Sequence, residues 1–335
     1  MKKYIRLTAL MLTLILFLAV LSGCSAEKRR MEKVIGTCAG YDVLYEELRY
    51  VTLTYKDLME STYGEGIWDN PETAAQYRAE LEETVWRMML NNYAVLVACA
   101  EHGGQPKEDM KNASIQQAVD RLVDEAIEAY GDEKVFREEL KKTYMTENFL
   151  RFTLTVAQLE NELYYVLTDD LGLIENDNDN FMTWLEDGNC VYVQHIYIRN
   201  DAGEDKEANR QKAEAVRDQL LGGTDISELV GTAVNEDLQN VAPYYVVRDV
   251  YTEELETAAF SLQQAGDVSE VIDTGDGYYV MVRIADDTPT LLAKVPSLLT
   301  SYQWARVEAI VDTYKKDLKI ELNEYGKSID LLEIE

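Results

Sequence analysis

Cys190-Val191-Tyr192-Val193-Gln194-His195-Ile196-Tyr197-Ile198 is a run of β-branched and aromatic residues that leads into a charged turn at residues 199–205. Such a composition predicts a buried strand. A second run of the same kind, Gly277-Tyr278-Tyr279-Val280-Met281-Val282-Arg283-Ile284, lies further along the chain. We expect the two runs to pair as central strands of one small sheet. The function then depends on what His195, in the middle of the first strand, faces across that sheet.

The first residues follow the pattern of a secretory signal. A basic start is followed by an almost wholly apolar run from residue 7 to residue 20, and then by Leu21-Ser22-Gly23-Cys24. The apolar run is short for a membrane span, and small residues before a cysteine are typical of a cleavage site. We therefore exclude residues 1–23 from the fold as a signal peptide and expect residues 24–33 to be a tether.

The Leu-Ser-Gly-Cys tetrapeptide resembles the bacterial lipobox. The resemblance implies cleavage before Cys24, attachment of a diacylglyceryl group to its sulfur, and retention of the lipoprotein on the extracytoplasmic face of the bacterial cell membrane. The alternative is an uncleaved anchor helix at the N-terminus.

The chain is strongly acidic, with a formal net charge of -30 at pH 7. A surface of this sign repels the phosphates of nucleic acids and anionic lipid headgroups, so no nucleic-acid partner is expected. The same charge keeps a protein soluble beside a membrane and suits basic or unfolded client polypeptides.

Cysteine and histidine are too few and too widely spaced for a metal centre. Apart from Cys24, the cysteines are Cys38, Cys99 and Cys190, an odd number without a CxxC pair, which excludes a disulfide framework and a zinc site. We expect all of them to be small buried apolar residues. The acidic stretch at 175–180 lacks the glycine and the closing glutamate of a calcium loop. No metal and no cofactor is predicted.

The part of the chain before the first strand is predicted to be helical. Apolar residues recur near helical spacing at 45–59, 77–97, 107–130 and 132–167, with glycine-containing breaks between these segments. Met and Tyr line the helices, and such a stripe normally forms core. The alternative is an apolar cradle for client polypeptides, to which flexible Met and amphipathic Tyr side chains are suited.

The pattern changes after residue 190. The first strand is followed by helices predicted at 206–221, 226–232 and 252–261, by two strands around Gly275-Asp276-Gly277, and by a long helix at 291–317. Two strand-like tails, at 319–322 and 329–334, close the sequence.

Several motifs after His195-Ile196 stand in a specific order. They are Gly223-Thr224-Asp225-Ile226-Ser227-Glu228-Leu229-Val230, then Leu255-Glu256-Thr257-Ala258-Ala259-Phe260-Ser261-Leu262, then Gly266-Asp267-Val268-Ser269-Glu270-Val271-Ile272 and Thr274-Gly275-Asp276-Gly277-Tyr278-Tyr279-Val280. Their order and spacing resemble a parvulin-type (PpiC or rotamase) peptidyl-prolyl isomerase domain over residues 188–287. The resemblance implies an α+β fold in which helices surround a small antiparallel sheet.

The layout around that domain is similar to the extracytoplasmic foldases of the PrsA and SurA type. This weaker resemblance rests on the order of the parts and on Val34-Ile35-Gly36-Thr37-Cys38-Ala39-Gly40-Tyr41-Asp42-Val43. It implies that residues 34–187 and 288–335 join into one mostly helical chaperone-like domain, with the parvulin-like domain inserted between them. It also implies unfolded or extended secreted polypeptides as partners.

Such a domain accelerates rotation about an X-Pro amide bond, which is slow without a catalyst. The reaction requires no nucleophile and no metal. A site needs an apolar pocket for the prolyl ring, low polarity around the amide as it loses resonance, and hydrogen-bond donors placed for the twisted state.

The resemblance assigns polar site residues position by position. His195 matches the family's first histidine, and Thr274 matches the hydroxyl residue before the last strand. Asp237, or Glu236 beside it, falls at the Cys or Asp position. The family's second histidine is replaced here by Tyr279, so a two-histidine site is excluded, and the predicted catalytic set is His195, Tyr279, Thr274 and Asp237.

The predicted substrate-binding pocket departs further from the family. Its positions become Val246, Tyr251 and Leu255, and the Gly-rich turn that usually precedes them is replaced by Val241-Ala242-Pro243-Tyr244-Tyr245.

Two functions follow from these departures, and both stay open. In the first, the Tyr279 hydroxyl replaces the imidazole, and the protein is a peptidyl-prolyl cis-trans isomerase with chaperone activity on secreted proteins. In the second, the domain is catalytically silent, His195 is a strand histidine with ordinary hydrogen bonds, and the protein is a holdase. A third class is a solute-binding or purely structural surface lipoprotein.

Overall fold

The computed structural model describes residues 27–200, 205–232, 234–237 and 240–335. The predicted signal peptide and the lipidation site at Cys24 lie outside these residues. The chain divides into two compact units: one combines the residues up to Glu60 with Glu65–Glu160 and Thr313–Glu335, and the other contains Ser61–Gly64 and Asn161–Asp312. The predicted domain boundaries after residues 187 and 287 stay predictions.

Helices make up most of the described residues, and several begin at an Asn or Asp whose side chain accepts a first-turn N–H. No helix in the described ranges combines the length and the apolar character needed to cross a membrane. From Tyr45 onward, the α-helices in sequence order are α1 (Tyr45–Tyr63), α2 (Ala74–Glu101), α3 (Pro106–Asp109), α4 (Ala113–Tyr130), α5 (Glu133–Lys142), α6 (Glu147–Tyr165), α7 (Asn178–Trp184), α8 (Lys206–Leu221), α9 (Ile226–Leu229), α10 (Glu253–Ser261), α11 (Thr288–Lys315) and α12 (Glu324–Lys327).

The strands form two small antiparallel sheets, which confirms the α+β class. The first sheet has the order β2-β1-β7 and the second has the order β4-β3-β6-β5. The strands are β1 (Val34–Cys38), β2 (Tyr41–Leu44), β3 (Cys190–Arg199), β4 (Tyr244–Val247), β5 (Ile272–Asp273), β6 (Gly277–Arg283) and β7 (Glu321–Leu322).

The first sheet joins distant parts of the sequence within one unit. Gly36 in β1 pairs with Leu322 in β7, and a Cβ at Gly36 would lie 2.6 Å from the backbone oxygen of Glu321. Only glycine allows this close approach of the two backbones. The core of the same unit buries large apolar side chains from the helices and from β1, among them Ile35, Leu48, Leu81, Tyr93, Leu96 and Phe136.

The cysteines largely follow the expectation of small packing residues. Cys38 and Cys99 are buried, and Cys190, at the start of β3, is half-buried. Burial raises the pKa of Cys38 and of Cys190 to about 11. Because the thiolate is the reactive form of cysteine, these two thiols are unreactive at neutral pH.

Three predicted elements differ from the structure. The predicted helix at 107–130 divides into α3 and α4, because the Asn112 side chain accepts the Ser114 N–H and begins a new helix. The predicted strand at 329–334 is instead a 3₁₀ turn at Leu331–Glu333, because the Asp330 carboxylate accepts the Leu332 N–H at 2.9 Å and closes a turn. The continuous helical pattern at 132–167 divides into α5 and α6, since Tyr144 between them has a left-handed backbone with φ of 60°.

The second sheet is covered on both faces. Alternate residues of β3, including Ile196 and Ile198, pack with α8 residues such as Val216 in one apolar cluster. The other β3 face contributes Val191 and Val193 to a second cluster with residues of α10. His195 follows Val193 by two positions and therefore faces the α10 side.

Candidate functional site

His195 lies at the centre of the second sheet and is 3% exposed. In the β3 and β6 register it stands opposite Met281, and Tyr197 stands opposite Tyr279. Because directly opposed residues of an antiparallel pair share a face, His195 and Tyr279 point to the same side of the sheet. The two rings meet edge to face, with centroids 5.1 Å apart.

Both ring nitrogens of His195 have hydrogen-bond partners. Nε2 lies 3.2 Å from Oδ2 of Asp237, and Nδ1 lies 3.0 Å from the hydroxyl oxygen of Tyr244. An ionised carboxylate only accepts, so the ring proton belongs on Nε2 and Nδ1 accepts from the Tyr244 hydroxyl. Burial lowers the pKa of His195, against the opposing effect of the Asp237 charge. His195 is therefore a neutral imidazole at neutral pH.

Asp237 is held in place by the loop that carries it. Asn240 donates its backbone N–H to Oδ1 of Asp237 at 3.1 Å and its side-chain amide to Oδ2 at 2.9 Å. The buried Asn235 accepts the N–H of Tyr197 at 3.0 Å and so fixes the loop against β3. These bonds orient the carboxylate toward the imidazole.

Glu236 has a different role from its neighbour. Its backbone N–H donates to the carbonyl of Tyr197 at 2.8 Å, and its carboxylate accepts the N–H of Arg199 at 2.8 Å. Glu236 thus caps the end of the strand, and the structure places Asp237 beside His195.

Tyrosine rings surround the imidazole. The ring centroids of Tyr197 and Tyr279 lie 4.5 Å apart, and those of Tyr244 and Tyr251 lie 6.1 Å apart. Burial raises the pKa of Tyr279 to about 12, and burial also raises the pKa of Tyr244. Both hydroxyls are therefore neutral at physiological pH. Within the described residues, the half-buried Tyr279 hydroxyl makes no hydrogen bond, so it is free to donate to a bound molecule.

The structure does not bring Thr274 into this cluster. Its hydroxyl bonds the carbonyl of Gly277 at 3.1 Å and the carboxylate of Asp276, and both bonds close the turn between β5 and β6. The predicted network thus comes together in part, as His195, Asp237 and Tyr279. A catalytic role for any of these four residues stays a prediction.

The predicted pocket residues occupy different environments. Val246 is fully buried in the apolar cluster below α10, with Val193 and Met281, so packing already fills the space around it. Leu255 on α10 is half-buried against the same cluster, and Tyr251 is 38% exposed. Of the three predicted pocket residues, only Tyr251 and Leu255 are accessible to a ligand.

Sequence reasoning misses Tyr244, the second partner of His195. The sequence places this residue in the segment that replaces a Gly-rich turn, whereas it begins β4 opposite Val193. The sequence does contain one indication of its position. Tyr244 and Val246 are two residues apart in a strand, so the two side chains lie on the same face of the sheet. Asn235 and Asn240, which fix Asp237, give no comparable signal.

Residues 195–285 match the family model described as "Rotamase: PPIC-type PPIASE domain". This match confirms the parvulin-type resemblance inferred from the motifs. No curated protein matches this sequence.

Similar solved structures include foldases. The peptidylprolyl isomerase PrsA from Bacillus anthracis is 16% identical, with coverage of 68% of this protein and 96% of that one and a TM-score of 0.35. The foldase protein PrsA from Streptococcus pneumoniae is 14% identical, with coverage of 88% and 97% and a TM-score of 0.37. A third similar structure, from a study of two SurA-like chaperones of Campylobacter jejuni, is 11% identical, with coverage of 85% and 96% and a TM-score of 0.23.

Proposed function

We propose that this protein is an extracytoplasmic foldase that binds unfolded or extended secreted polypeptides and catalyses their peptidyl-prolyl cis-trans isomerisation. One observation carries the proposal. A neutral His195 is held between Asp237 and Tyr244, beneath half-exposed tyrosines, inside the segment that matches the PPIC-type family model.

The chemistry requires stabilisation of a twisted amide rather than bond breaking. As an X-Pro bond rotates, its nitrogen loses conjugation and becomes a better hydrogen-bond acceptor, and its carbonyl becomes less dipolar. The tyrosine rings provide surroundings of low polarity that favour this state. The Tyr279 hydroxyl provides a donor at the same face of the sheet.

Hydrogen bonds and a ring contact hold the side chains around His195 in one arrangement. Asp237 fixes the tautomer of His195, and His195 in turn accepts from Tyr244. Since both ring nitrogens are used, His195 positions its neighbours and transfers no proton to a substrate. Tyr279 contacts the imidazole ring edge and takes its orientation from that contact.

The test is a protease-coupled isomerisation assay on a panel of proline tetrapeptides. We compare the intact protein with Tyr279→Phe, which keeps the ring and removes the hydroxyl, and with His195→Ala. Tyr165→Phe, at an exposed tyrosine outside the cluster, is the matched control. We expect the first two variants to lose activity and the control to retain it. Equal rates for all four proteins would contradict the isomerase proposal.

A silent holdase is the second candidate, and two observations favour it. Both nitrogens of His195 are bonded within the protein, and Val246 at a pocket position is fully buried. In this case the protein suppresses aggregation of an unfolded client without isomerase activity. Suppression retained in Tyr279→Phe and His195→Ala, together with background isomerisation rates in every protein, would select this candidate.

We further propose a lipid anchor at Cys24 and a location at the extracytoplasmic face of the bacterial cell membrane. The lipobox-like Leu21-Ser22-Gly23-Cys24 supports the proposal. Incorporation of radiolabelled palmitate in a bacterial host tests it. We expect labelling of the intact protein and its loss in Cys24→Ala, and equal labelling of both would contradict the anchor.

A further inference from the structure

A separate cavity of about 410 Å³ lies beside α10, away from the imidazole of His195. Its lining includes Arg248 and Arg306, together with the aromatic rings of Tyr251 and Phe260. Basic residues are outnumbered in this protein, with 32 Lys and Arg against 62 Asp and Glu, so two arginines at one cavity require an explanation.

Arg248 is prepared to bind an anion. Its guanidinium carbon lies 3.8 Å from the centroid of the Phe260 ring, and no carboxylate of the described residues pairs with it. A guanidinium that stacks on a ring keeps its N–H groups directed outward in its own plane. This geometry matches the two oxygens of a carboxylate, which accept two parallel hydrogen bonds.

The acids that line the cavity do not occupy Arg248. The Glu256 carboxylate accepts the backbone N–H groups of Val250 and Tyr251, both at 2.9 Å. Asp249 lies 3.6 Å from Nη1 of Arg306, in a contact at the protein surface. Glu253 contributes a further negative charge. Because these acids offset the two arginines, recognition here depends on directed hydrogen bonds rather than on long-range attraction.

We propose that this cavity binds a carboxylate of a client polypeptide, with Arg248 as the principal contact. The inference rests on the proposed function, since it makes the carboxylate part of the polypeptide held at the His195 cluster. Tyr251 connects the two places, because it lines the cavity and its ring contacts Tyr244, the partner of His195. Client segments with an acidic group near a proline are thus the preferred substrate class.

The carboxylate has two sources, an acidic side chain or the free C-terminus of a polypeptide. We test them by fluorescence anisotropy with fluorescein-labelled nonapeptides that share a central proline. One series carries a glutamate at each flanking position in turn and an amidated C-terminus. A second series carries glutamine at the same positions. A third series has no acidic side chain and a free C-terminus at varied distance from the proline.

We expect at least one carboxylate series to bind about tenfold more tightly than the glutamine series, as one charge-assisted bidentate contact predicts. Arg248→Gln should remove the preference. Arg210→Gln is the matched control, since this exposed arginine lies on α8 with Glu214 as its partner at 3.3 Å. The series that carries the preference identifies the source of the carboxylate.

Three results would overturn the inference. Equal binding of all series to the intact protein would reject it while leaving the proposed function intact. An equal loss of preference in Arg210→Gln and Arg248→Gln would show a general charge effect in place of a site. No binding of any proline peptide would reject both the inference and the proposed function.

Discussion

The Nδ1 atom of His195 lies 3.0 Å from the hydroxyl oxygen of Tyr244. In one of the two functions that the sequence leaves open, the hydroxyl of Tyr279, on the neighbouring strand β6, replaces the missing histidine in the polar network. Instead, Tyr279 contacts the imidazole through its ring, and the hydrogen bond comes from β4 on the opposite side of β3. The two tyrosines therefore have separate roles, and each is open to a separate test.

Tyr244→Phe removes the donor to Nδ1 of His195. A buried acceptor then lacks its partner, so we expect the free energy of unfolding to fall by about 1–3 kcal/mol. Urea denaturation followed by circular dichroism measures the change. Tyr251→Phe is the matched control, because its hydroxyl contact with the Tyr245 carbonyl is long, at 3.4 Å, and the residue is 38% exposed. Equal losses in the two variants would contradict a specific role for Tyr244.

Asp237→Asn removes the negative charge beside Nε2 of His195. That charge raises the pKa of His195 and partly offsets the lowering by burial, so we expect the pKa to fall further in the variant. Titration of the His195 ring protons by NMR measures it. Glu236→Gln, at the neighbouring carboxylate that bonds the Arg199 N–H, should shift the pKa much less. A raised pKa in Asp237→Asn would contradict the proposed hydrogen-bond arrangement.

The lowered pKa of His195 also makes the stability of the protein depend on pH. The unfolded protein protonates this residue near its ordinary value of 6.5, whereas the folded protein does so only at lower pH. The contribution of the neutral His195 to the free energy of unfolding is thus fully present above pH 6.5, and it is lost as the pH falls toward the folded-state pKa. Denaturant midpoints between pH 7.5 and 5 should show this decline, and His195→Gln should reduce it. A decline of the same size in His195→Gln would assign the effect to other groups.

The fold is more predictable from the sequence than the site is. The helix at Lys206–Leu221 follows from periodicity, and the strand character of the two apolar runs follows from their β-branched and aromatic composition, since each is a long regular segment. The contact between His195 and Tyr244 depends on which strand lies at each side of β3, and residue periodicity does not specify this order. The sequence also does not predict the position of the Thr274 side chain. Its hydroxyl forms hydrogen bonds within the local turn and so does not reach the His195 cluster.

Gly277→Ala tests the packing that supports Tyr279. A Cβ at this position would lie 2.2 Å from Cε2 of Tyr197 and 2.7 Å from the carbonyl oxygen of Ile198. The strand must shift to relieve this overlap, so we expect a loss of about 1–3 kcal/mol in unfolding free energy and reduced isomerase activity. Gly231→Ala is the control, because its chain neighbours apart, no atom of the described residues lies within 4 Å of its Cβ position. Unchanged stability in Gly277→Ala would contradict the close contact.

The helical unit contains a buried carboxylate with the opposite pH dependence to His195. Glu47 on α1 is 4% exposed and accepts hydrogen bonds from the Leu44 N–H at 3.0 Å and from the Tyr93 hydroxyl at 2.8 Å. The pKa of Glu47 is raised to about 7, chiefly by burial. The two hydrogen bonds oppose this rise, and the neighbouring Glu46 charge adds to it. Cys38 on β1 and Asp42 on β2 are the other titratable groups that act on this pair.

Glu47→Gln should therefore stabilise the protein at alkaline pH. Between the unfolded value of 4.5 and the folded value of about 7, the native state binds the extra proton, so wild-type stability falls as the pH rises through this window. The shift corresponds to about 3 kcal/mol, which the variant should recover above pH 7. Glu82→Gln, an exposed residue on α2, is the matched control and should follow the wild type. Denaturant unfolding at pH 5 and pH 8 measures both variants, and a Glu47→Gln protein less stable than the wild type at pH 8 would show that the ionised Glu47 carboxylate stabilises the fold and would contradict the prediction.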